Sequence, residues 1–257
     1  MNKIKLWYHH KNINKEYNKN GEPNYFSPSD YEWATYIEQQ WPQISQELWA
    51  LVRSRNEQLI PYFKKEADDN TQSWQTLSFR TWGIDIKSTL SQCPAVADLF
   101  ARFPQLVSAS INLLKAGSKI NAHQGDTNGI FRCHVGLQIP ASLPDCGFEV
   151  GGEKRSWQEG KMLIFCDANY HWAWNYSPKD RLIFLFDVIR DEFMPQKKQI
   201  CLTVRAFLLS QLLRQRFSLL QKISPTLLLS ISMPLLKTIL WILYPIQQKK
   251  GVLLKHD

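Results

Sequence analysis

A run of short strand-like segments, broken by turns, occupies residues 123–191 and constrains the fold more than any other part of the chain. From Phe131 to Ile139, apolar side chains alternate with polar residues or glycine. This two-residue period is typical of a strand with one apolar and one polar face. Arg132 and His134 therefore project from the same side of one strand. The pattern predicts a mainly β core.

Three of the six histidines, His123, His134 and His171, fall within this run. Neutral imidazole is a good ligand for Fe(II), and iron oxygenases commonly combine two histidines with one carboxylate. Arg181 follows His171 by ten residues and would suit an anionic cosubstrate. A histidine on a strand is more often a hydrogen-bonded structural residue. Spacing alone therefore leaves a metal site and a structural role both open.

Five motifs lie along this run: His123-Gln-Gly-Asp-Thr-Asn, Arg132-Cys-His134-Val-Gly-Leu, Trp157-x-x-Gly160-Lys161, Phe165-x-Asp167-x-x-Tyr170-His171 and Arg181-Leu-Ile-Phe-Leu-Phe-Asp187. Their order and spacing resemble the aspartyl/asparaginyl β-hydroxylase family over about residues 74–193. The resemblance implies a double-stranded β-helix, that is, a jelly-roll or cupin-like core with flanking helices. It also implies an Fe(II)- and 2-oxoglutarate-dependent dioxygenase, in a family that includes lipid A acyl-chain hydroxylases.

The resemblance assigns roles to individual residues. His123 and His171 are the implied iron ligands, at a metal that also binds O2. Arg181 is implied to pair with the distal carboxylate of 2-oxoglutarate, an anion that a bidentate guanidinium holds well. Arg132 and His134 are implied to lie beside the carboxylate of the cosubstrate or of the substrate.

Two further residues are implied to line the cosubstrate pocket, and two depart from the common pattern. Trp74 matches a pocket tryptophan, although an ordinary core aromatic is an equally simple interpretation. Asn112 stands where relatives place a hydroxyl or similar polar group. Gly125 replaces the carboxylate ligand of most related oxygenases, as it does in this branch of them. Cys166 stands where an acidic residue is expected, and a thiol near the site would be open to oxidation unless it faces away.

The sequence before the strand run predicts two segments. Residues 1–28 are rich in polar side chains and predict an exposed N-terminal arm. Residues 29–193 form the predicted hydroxylase-like domain, which begins with helices. Apolar residues at three- and four-residue intervals predict a helix over about residues 29–55. Pro42 interrupts that pattern, so we expect a break near Trp41.

The last segment, residues 194–257, carries ten Lys or Arg and one acid, a charge of +9. Since the whole chain has a charge of +8, the residues before it sum to about −1. Basic residues interleaved with aliphatic runs predict an amphipathic helical tail that docks on an anionic membrane through residues 200–250. Packing on the barrel, or a dimer interface, is the alternative. Nucleic acid is a less suitable partner, because no nucleic-acid motif occurs.

Within the tail, Thr226 to Tyr244 is long enough to be considered for membrane crossing, which takes about 20 apolar residues. Lys237 lies near its centre, and a central lysine costs about 2.5–3.5 kcal/mol on insertion scales. We therefore expect a helix lying in the interface, or two helices broken at Pro225 and Pro234.

Cysteine usage and the first residues bear on location. The five cysteines are scattered, odd in number and without a CxxC pair, which indicates reduced thiols. The first residues lack the apolar run of a signal peptide. The expected location is cytoplasmic, peripheral on the membrane through the tail.

The predicted function is hydroxylation of an unactivated C–H bond with release of succinate and CO2. An acyl-lipid substrate is slightly favoured, because Ile130 stands where a basic residue for a substrate carboxylate would be expected and because the tail is basic and amphipathic. One alternative is a peptidyl or free aspartate/asparagine β-hydroxylase. The other is a non-catalytic, membrane-docked binding module.

Overall fold

The computed structural model describes residues 4–13, 15–17, 21–54, 59–62 and 72–251. They form an eight-stranded and a four-stranded antiparallel sheet, which share an apolar cluster between them. This is the mainly β, jelly-roll architecture with flanking helices that the sequence predicted. The strands are β1 (Tyr25–Phe26), β2 (Ile60–Pro61), β3 (Trp74–Thr81), β4 (Ile84–Asp85), β5 (Leu106–Leu114), β6 (Ser118–His123), β7 (Ile130–Gln138), β8 (Cys146–Val150), β9 (Glu153–Arg155), β10 (Met162–Cys166), β11 (His171–Asn175) and β12 (Arg181–Ile189).

The larger sheet runs β1-β10-β7-β12-β5-β3-β2, with β4 paired to β3, and the smaller runs β6-β11-β8-β9. Alternation along β12 gives the larger sheet two different faces. Leu182, Phe184 and Phe186 belong to the main core under the helices, whereas Ile183 packs between the two sheets. Arg181 shares the face of Ile183, because side chains two apart on a strand point the same way. The strand period thus directs polar residues into the barrel.

The helices are α1 (Glu32–Ser54), α2 (Lys87–Leu90), α3 (Pro94–Arg102), α4 (Lys197–Arg216), α5 (Ser218–Gln221) and α6 (Pro225–Lys250). The predicted apolar stripe of α1 is buried on the larger sheet. The expected break near Trp41 is wrong, since α1 is continuous through Pro42. Ile37 and Ile44 are both fully buried in the same core, and this packing holds the two halves of the helix in line against the local cost of the proline.

The N-terminal segment differs from the exposed arm that the sequence predicted. Asn128 accepts a hydrogen bond from the Trp7 backbone N–H through Oδ1 at 2.7 Å, and the Thr127 hydroxyl donates to the Trp7 carbonyl at 2.7 Å. Glu22 forms an ion pair with the buried Arg190. These bonds attach the described part of the segment to the barrel, although Lys11, Lys15 and Glu16 are exposed, and a polar sequence pattern does not distinguish the two situations.

The C-terminal tail divides into a part of the barrel core and an outer helix. Ile200 and Val204 of α4 are buried in one cluster with Ile130 and Ile189 of the larger sheet. Helix α6 packs on the other side of α4 through a small cluster that includes Met233. The chain does break before Pro225, as predicted, but α6 is continuous through Pro234.

Because α4 is part of the core, Ile200→Ala is expected to lower the free energy of unfolding by about 2–5 kcal/mol, the usual range for deleting a buried isoleucine. Ile200 is fully buried, whereas Ile231 on α6 is 65% exposed. The same substitution at Ile231 is therefore the matched control and should change stability by less than about 0.5 kcal/mol. Urea unfolding measures both. Equal effects would show that α4 does not stabilise the barrel.

Candidate active site

Two histidines of the smaller sheet form the centre of the site. His123 and His171 are paired across β6 and β11, with ring centroids 4.3 Å apart. Each Nδ1 lies 2.8 Å from a backbone carbonyl oxygen two residues earlier, that of Asn121 or Asn169. A carbonyl only accepts, so each Nδ1 carries the proton and each Nε2 carries the lone pair. Both rings therefore present the same ligand atom, oriented by the kind of bond that metal-binding histidines use.

Arg181 is the buried cation of the pocket. It begins β12, is 2% exposed, and its Nε has no hydrogen-bond partner among the described residues. No carboxylate of the described chain lies within ion-pair distance of its guanidinium, whose carbon is 4.6 Å from the Trp157 ring centre. Burial lowers the pKa of Arg181 to about 10, so the side chain stays cationic at neutral pH. A buried guanidinium without a counter-ion is suited to an anionic ligand.

His134 presents a neutral imidazole to the same pocket. Its Nδ1 accepts from the Trp157 indole N–H at 3.3 Å, which places the imidazole proton on Nε2. Nε2 is buried and makes no hydrogen bond to any residue that the structure describes. Burial and then the Arg181 charge hold the pKa of His134 well below its usual value, so the ring stays neutral. It can donate one hydrogen bond to an anion.

Arg132 lines the pocket but already holds two carboxylates. Its Nε and Nη2 donate to Asp187 at 2.8 and 3.2 Å, and its Nη1 lies 2.5 Å from Asp167. Burial alone lowers the pKa of Arg132, but the two carboxylates raise it well above the ordinary value. Arg132 shares this pocket with His123 and His171. Its charge, however, is balanced by the chain itself.

Asp167 is the site residue that the sequence interpretation did not single out. An added Cβ at Gly125 would lie 1.7 Å from Asp167 Oδ2, so this carboxylate fills the space that a side chain at position 125 would take. Asp167 Oδ1 is 3.8 Å from His171 Nε2. Within the described ranges no three His, Cys, Asp or Glu side chains form a metal cluster, so the site rests on two histidines with a carboxylate beside them. The sequence signal for this carboxylate was the pairing of Gly125, two residues after His123, with Asp167, four residues before His171.

Trp74 and Asn112 are joined to each other at the edge of the pocket. The Trp74 indole donates to Asn112 Oδ1 at 3.1 Å, and the Asn112 amide donates to the Ser110 hydroxyl at 2.8 Å. Trp74 also stacks on Tyr62, with centroids 3.8 Å apart. Trp74 packs in the inter-sheet cluster and also lines the pocket, so its role toward a cosubstrate stays a prediction.

Two other sequence expectations concern side chains that lie away from the pocket. Cys166 is fully buried, and burial raises the pKa of its thiol to about 12. The preceding Phe165 ring contacts His171, so the alternation of β10 directs Cys166 to the opposite face. Ile130 is buried under α4, so its identity carries no information about the substrate. All five cysteines are free thiols, as predicted.

One pocket collects every predicted site residue: Trp74, Asn112, His123, Arg132, His134, His171 and Arg181. The remaining lining is apolar and aromatic: Ile120, Phe148, Trp172, Ala173, Ile183 and Leu185. The arrangement combines a pair of imidazole ligands, a buried cation with a neutral donor beside it, and an apolar wall.

Comparison with known proteins gives a family match. A family model described as aspartyl/asparaginyl beta-hydroxylase matches residues 38–191. A Rhizobium tropici protein named ornithine lipid ester-linked acyl 2-hydroxylase is 30% identical over 183 residues, which are 69% of this chain and 64% of that protein. The human aspartyl/asparaginyl beta-hydroxylase is 27% identical over 171 residues, 63% of this chain but 22% of that protein. A Pseudomonas putida prolyl-4-hydroxylase structure aligns with a TM-score of 0.41 and 14% identity, over 58% of this chain and 87% of that one.

Proposed function

Because the chain belongs to the aspartyl/asparaginyl β-hydroxylase family, we propose that it is an Fe(II)- and 2-oxoglutarate-dependent dioxygenase that hydroxylates the acyl chain of a membrane lipid. Succinate and CO2 are the co-products. The observation that carries the proposal is the placement of Arg181, a buried guanidinium without a described counter-ion, in one pocket with two histidines whose Nε2 atoms carry the lone pairs.

The residues present fit an iron ion. His123 and His171 would hold it through Nε2, since their Nδ1 protons are engaged by backbone carbonyls. Imidazole nitrogen is a suitable ligand for Fe(II). When bound, the metal and its cosubstrate would supply the oxidising chemistry, which no protein side chain provides. Asp167, held by Arg132, places a fixed negative charge beside His171.

The residues present also fit a dicarboxylate cosubstrate. Arg181 would hold the distal carboxylate of 2-oxoglutarate through its planar, bidentate donors. His134 would add one hydrogen bond from Nε2–H, since Trp157 engages its Nδ1. Both groups are almost completely buried, so water competes poorly for the anion and their interactions with it are strengthened.

An acyl substrate is supported by the charges of the pocket. Its two arginines are Arg132, which two aspartates neutralise, and Arg181, which is assigned to the cosubstrate. No further cation among the described lining residues is left to hold a substrate carboxylate. The walls offered by Trp172 and Leu185 suit hydrocarbon. The name of the Rhizobium relative, an acyl 2-hydroxylase, supports the same choice.

The test is turnover with purified protein, Fe(II), 2-oxoglutarate and O2, supplied in parallel with total membrane lipid, with aspartyl or asparaginyl peptides, and with free aspartate or asparagine. We expect lipid to stimulate succinate formation and mass spectrometry to find one added oxygen on an acyl chain. Stimulation by peptides or free aspartate instead would replace the lipid proposal with the alternative. No succinate under any condition would favour the binding module.

Helix α6 supports a membrane location. It is the one helix of the described chain long and apolar enough to cross a bilayer, and 17% of its most apolar window is buried. Its outer face exposes a row of aliphatic side chains: Leu227, Ile231, Leu235, Ile239, Ile242 and Ile246. Because α6 packs along α4 on its other side, it suits lying in the interface more than crossing. Lys249 and Lys250 at its end suit anionic headgroups.

Binding to anionic vesicles is expected to weaken as salt is added but to persist, because salt screens the lysines and arginines and leaves apolar insertion intact. Each basic residue near the surface contributes about 1 kcal/mol. Ile242→Asp, on the exposed row, should remove most of the salt-resistant binding in a co-sedimentation assay. Tyr176→Asp is the control, at a side chain of the barrel that is 55% exposed. Vesicle binding unaffected by Ile242→Asp would rule out α6 as the docking element.

A further inference from the structure

Trp157 contacts both groups that are assigned to the cosubstrate carboxylate. It lies between β9 and β10 and is 2% exposed. It makes one contact through its indole N–H and another through its ring face. Its indole N–H donates to His134 Nδ1 at 3.3 Å. Its ring centre lies 4.6 Å from the guanidinium carbon of Arg181. Few side chains other than tryptophan combine a single N–H donor with an aromatic face of this size.

The indole N–H decides the tautomer of His134. A neutral imidazole has one protonated and one unprotonated nitrogen, and the bond at one nitrogen fixes the other. With Nδ1 accepting from Trp157, Nε2 carries the proton and is a donor. In the opposite tautomer an Nε2 lone pair would face an incoming carboxylate, and the two would repel. The hydrogen bond therefore fixes His134 in the tautomer whose Nε2–H can donate to an anion.

The indole face supports Arg181. Guanidinium groups are attracted to the face of tryptophan within about 6 Å, more strongly when they are desolvated. Arg181 has no carboxylate partner among the described residues, so the indole offsets part of the cost of burying its charge. Contact with a ring face supplies no hydrogen-bond acceptor atom, so it pairs none of the guanidinium N–H donors with a lone pair. They remain available to a bidentate ligand.

The backbone around Trp157 is held close to the strand that carries His134. Gly160 N–H donates to the Gly136 carbonyl at 3.0 Å. An added Cβ at Gly136 would lie 2.5 Å from the Gln158 carbonyl oxygen, so only glycine allows this approach. Gly136 is two residues beyond His134 on β7, and Gln158 follows Trp157. The loop is thus fixed to β7 at the place where the indole must reach the imidazole.

We propose that Trp157 is a positioning residue for cosubstrate binding, which fixes the His134 tautomer through its N–H and presents the Arg181 guanidinium through its ring face. This assignment rests on the proposed function, since it takes the ligand of Arg181 and His134 to be the distal carboxylate of 2-oxoglutarate.

The experiment compares Trp157→Phe, which keeps an aromatic face and removes the N–H, with Trp157→Leu, which removes both. Trp174→Phe is the matched control, because Trp174 is also buried and its indole donates to the Pro144 carbonyl at 2.7 Å. The dissociation constant of 2-oxoglutarate is measured by calorimetry on protein loaded with Mn(II). Nitrogen-15 shifts of the His134 ring report its tautomer in ligand-free protein.

We expect Trp157→Phe to bind 2-oxoglutarate about tenfold more weakly and to show a mixture of His134 tautomers. Trp157→Leu should bind about a hundredfold more weakly, because the support of Arg181 is lost as well. Trp174→Phe should match the original protein. Mn(II) affinity should be unchanged in all three, since the ligands are His123 and His171.

Two results would overturn the assignment: mixed His134 tautomers in the unaltered protein, or Trp157→Phe with the original affinity and a single tautomer. Failure of the unaltered protein to bind 2-oxoglutarate would count against the proposed function instead. The tautomer measurement would still decide whether Trp157 sets the His134 proton.

Discussion

His123→Ala and His171→Ala are each expected to reduce O2-dependent succinate formation below detection. Each substitution removes one of two imidazole nitrogens, and Asp167, the carboxylate beside His171, is engaged by Arg132. When a metal is held by two protein ligands, loss of either one is expected to abolish its binding. The readouts are succinate formation and Mn(II) binding followed by electron paramagnetic resonance, and the latter does not depend on turnover.

His134→Ala is the control for this experiment. His134 lies in the same pocket but is assigned to the cosubstrate, so its loss should weaken 2-oxoglutarate binding and leave Mn(II) bound. Circular dichroism should show that all three variants keep the fold. Full turnover by both His123→Ala and His171→Ala would mean that the metal is held elsewhere.

The period of the strands allowed part of this site to be predicted. Arg132 and His134 were placed on one strand face by alternation, and both line the pocket. Alternation does not say which residues of another strand lie opposite. Arg132 is directly paired with Asp187 across β7 and β12, a register set by the whole sheet. The neutralisation of Arg132 was therefore not predictable from local pattern.

The same limit applies to segments distant in sequence. The composition of α4 suggested a membrane or the barrel as its partner, and only the packing of Ile200 and Val204 against Ile130 shows that α4 contacts the barrel. Pro42 predicted a break in α1, because the expectation that proline disrupts a helix considers the neighbouring turn alone. Buried residues on both sides of it belong to one core, and that tertiary constraint prevails. Local rules failed where long-range packing carried the larger energy.

Arg181→Ala is expected to weaken 2-oxoglutarate binding by about 2–5 kcal/mol, because truncating one partner of a desolvated charge pair leaves the other without compensation. This corresponds to a dissociation constant raised from about 30-fold to several thousandfold. The affinity of Arg181→Lys for 2-oxoglutarate should lie between those of Arg181→Ala and the original protein, since lysine keeps the charge but lacks the planar guanidinium. Calorimetry on Mn(II)-loaded protein measures all three affinities. An unchanged affinity in Arg181→Ala would place the anion elsewhere.

Replacing Arg181 should weaken 2-oxoglutarate binding but raise the stability of the protein when 2-oxoglutarate is absent. Arg181 is 2% exposed, its Nε lacks a partner among the described residues, and burial lowers its pKa to about 10, the direction in which desolvation disfavours the charged form. Replacing a buried charge by an apolar side chain of similar length is often neutral or stabilising. We expect Arg181→Met to raise the Tm of the ligand-free protein and to abolish the further rise that 2-oxoglutarate gives the original protein. A lower Tm in Arg181→Met would show that Arg181 supports the fold itself, and its unpaired charge would then no longer indicate a binding site.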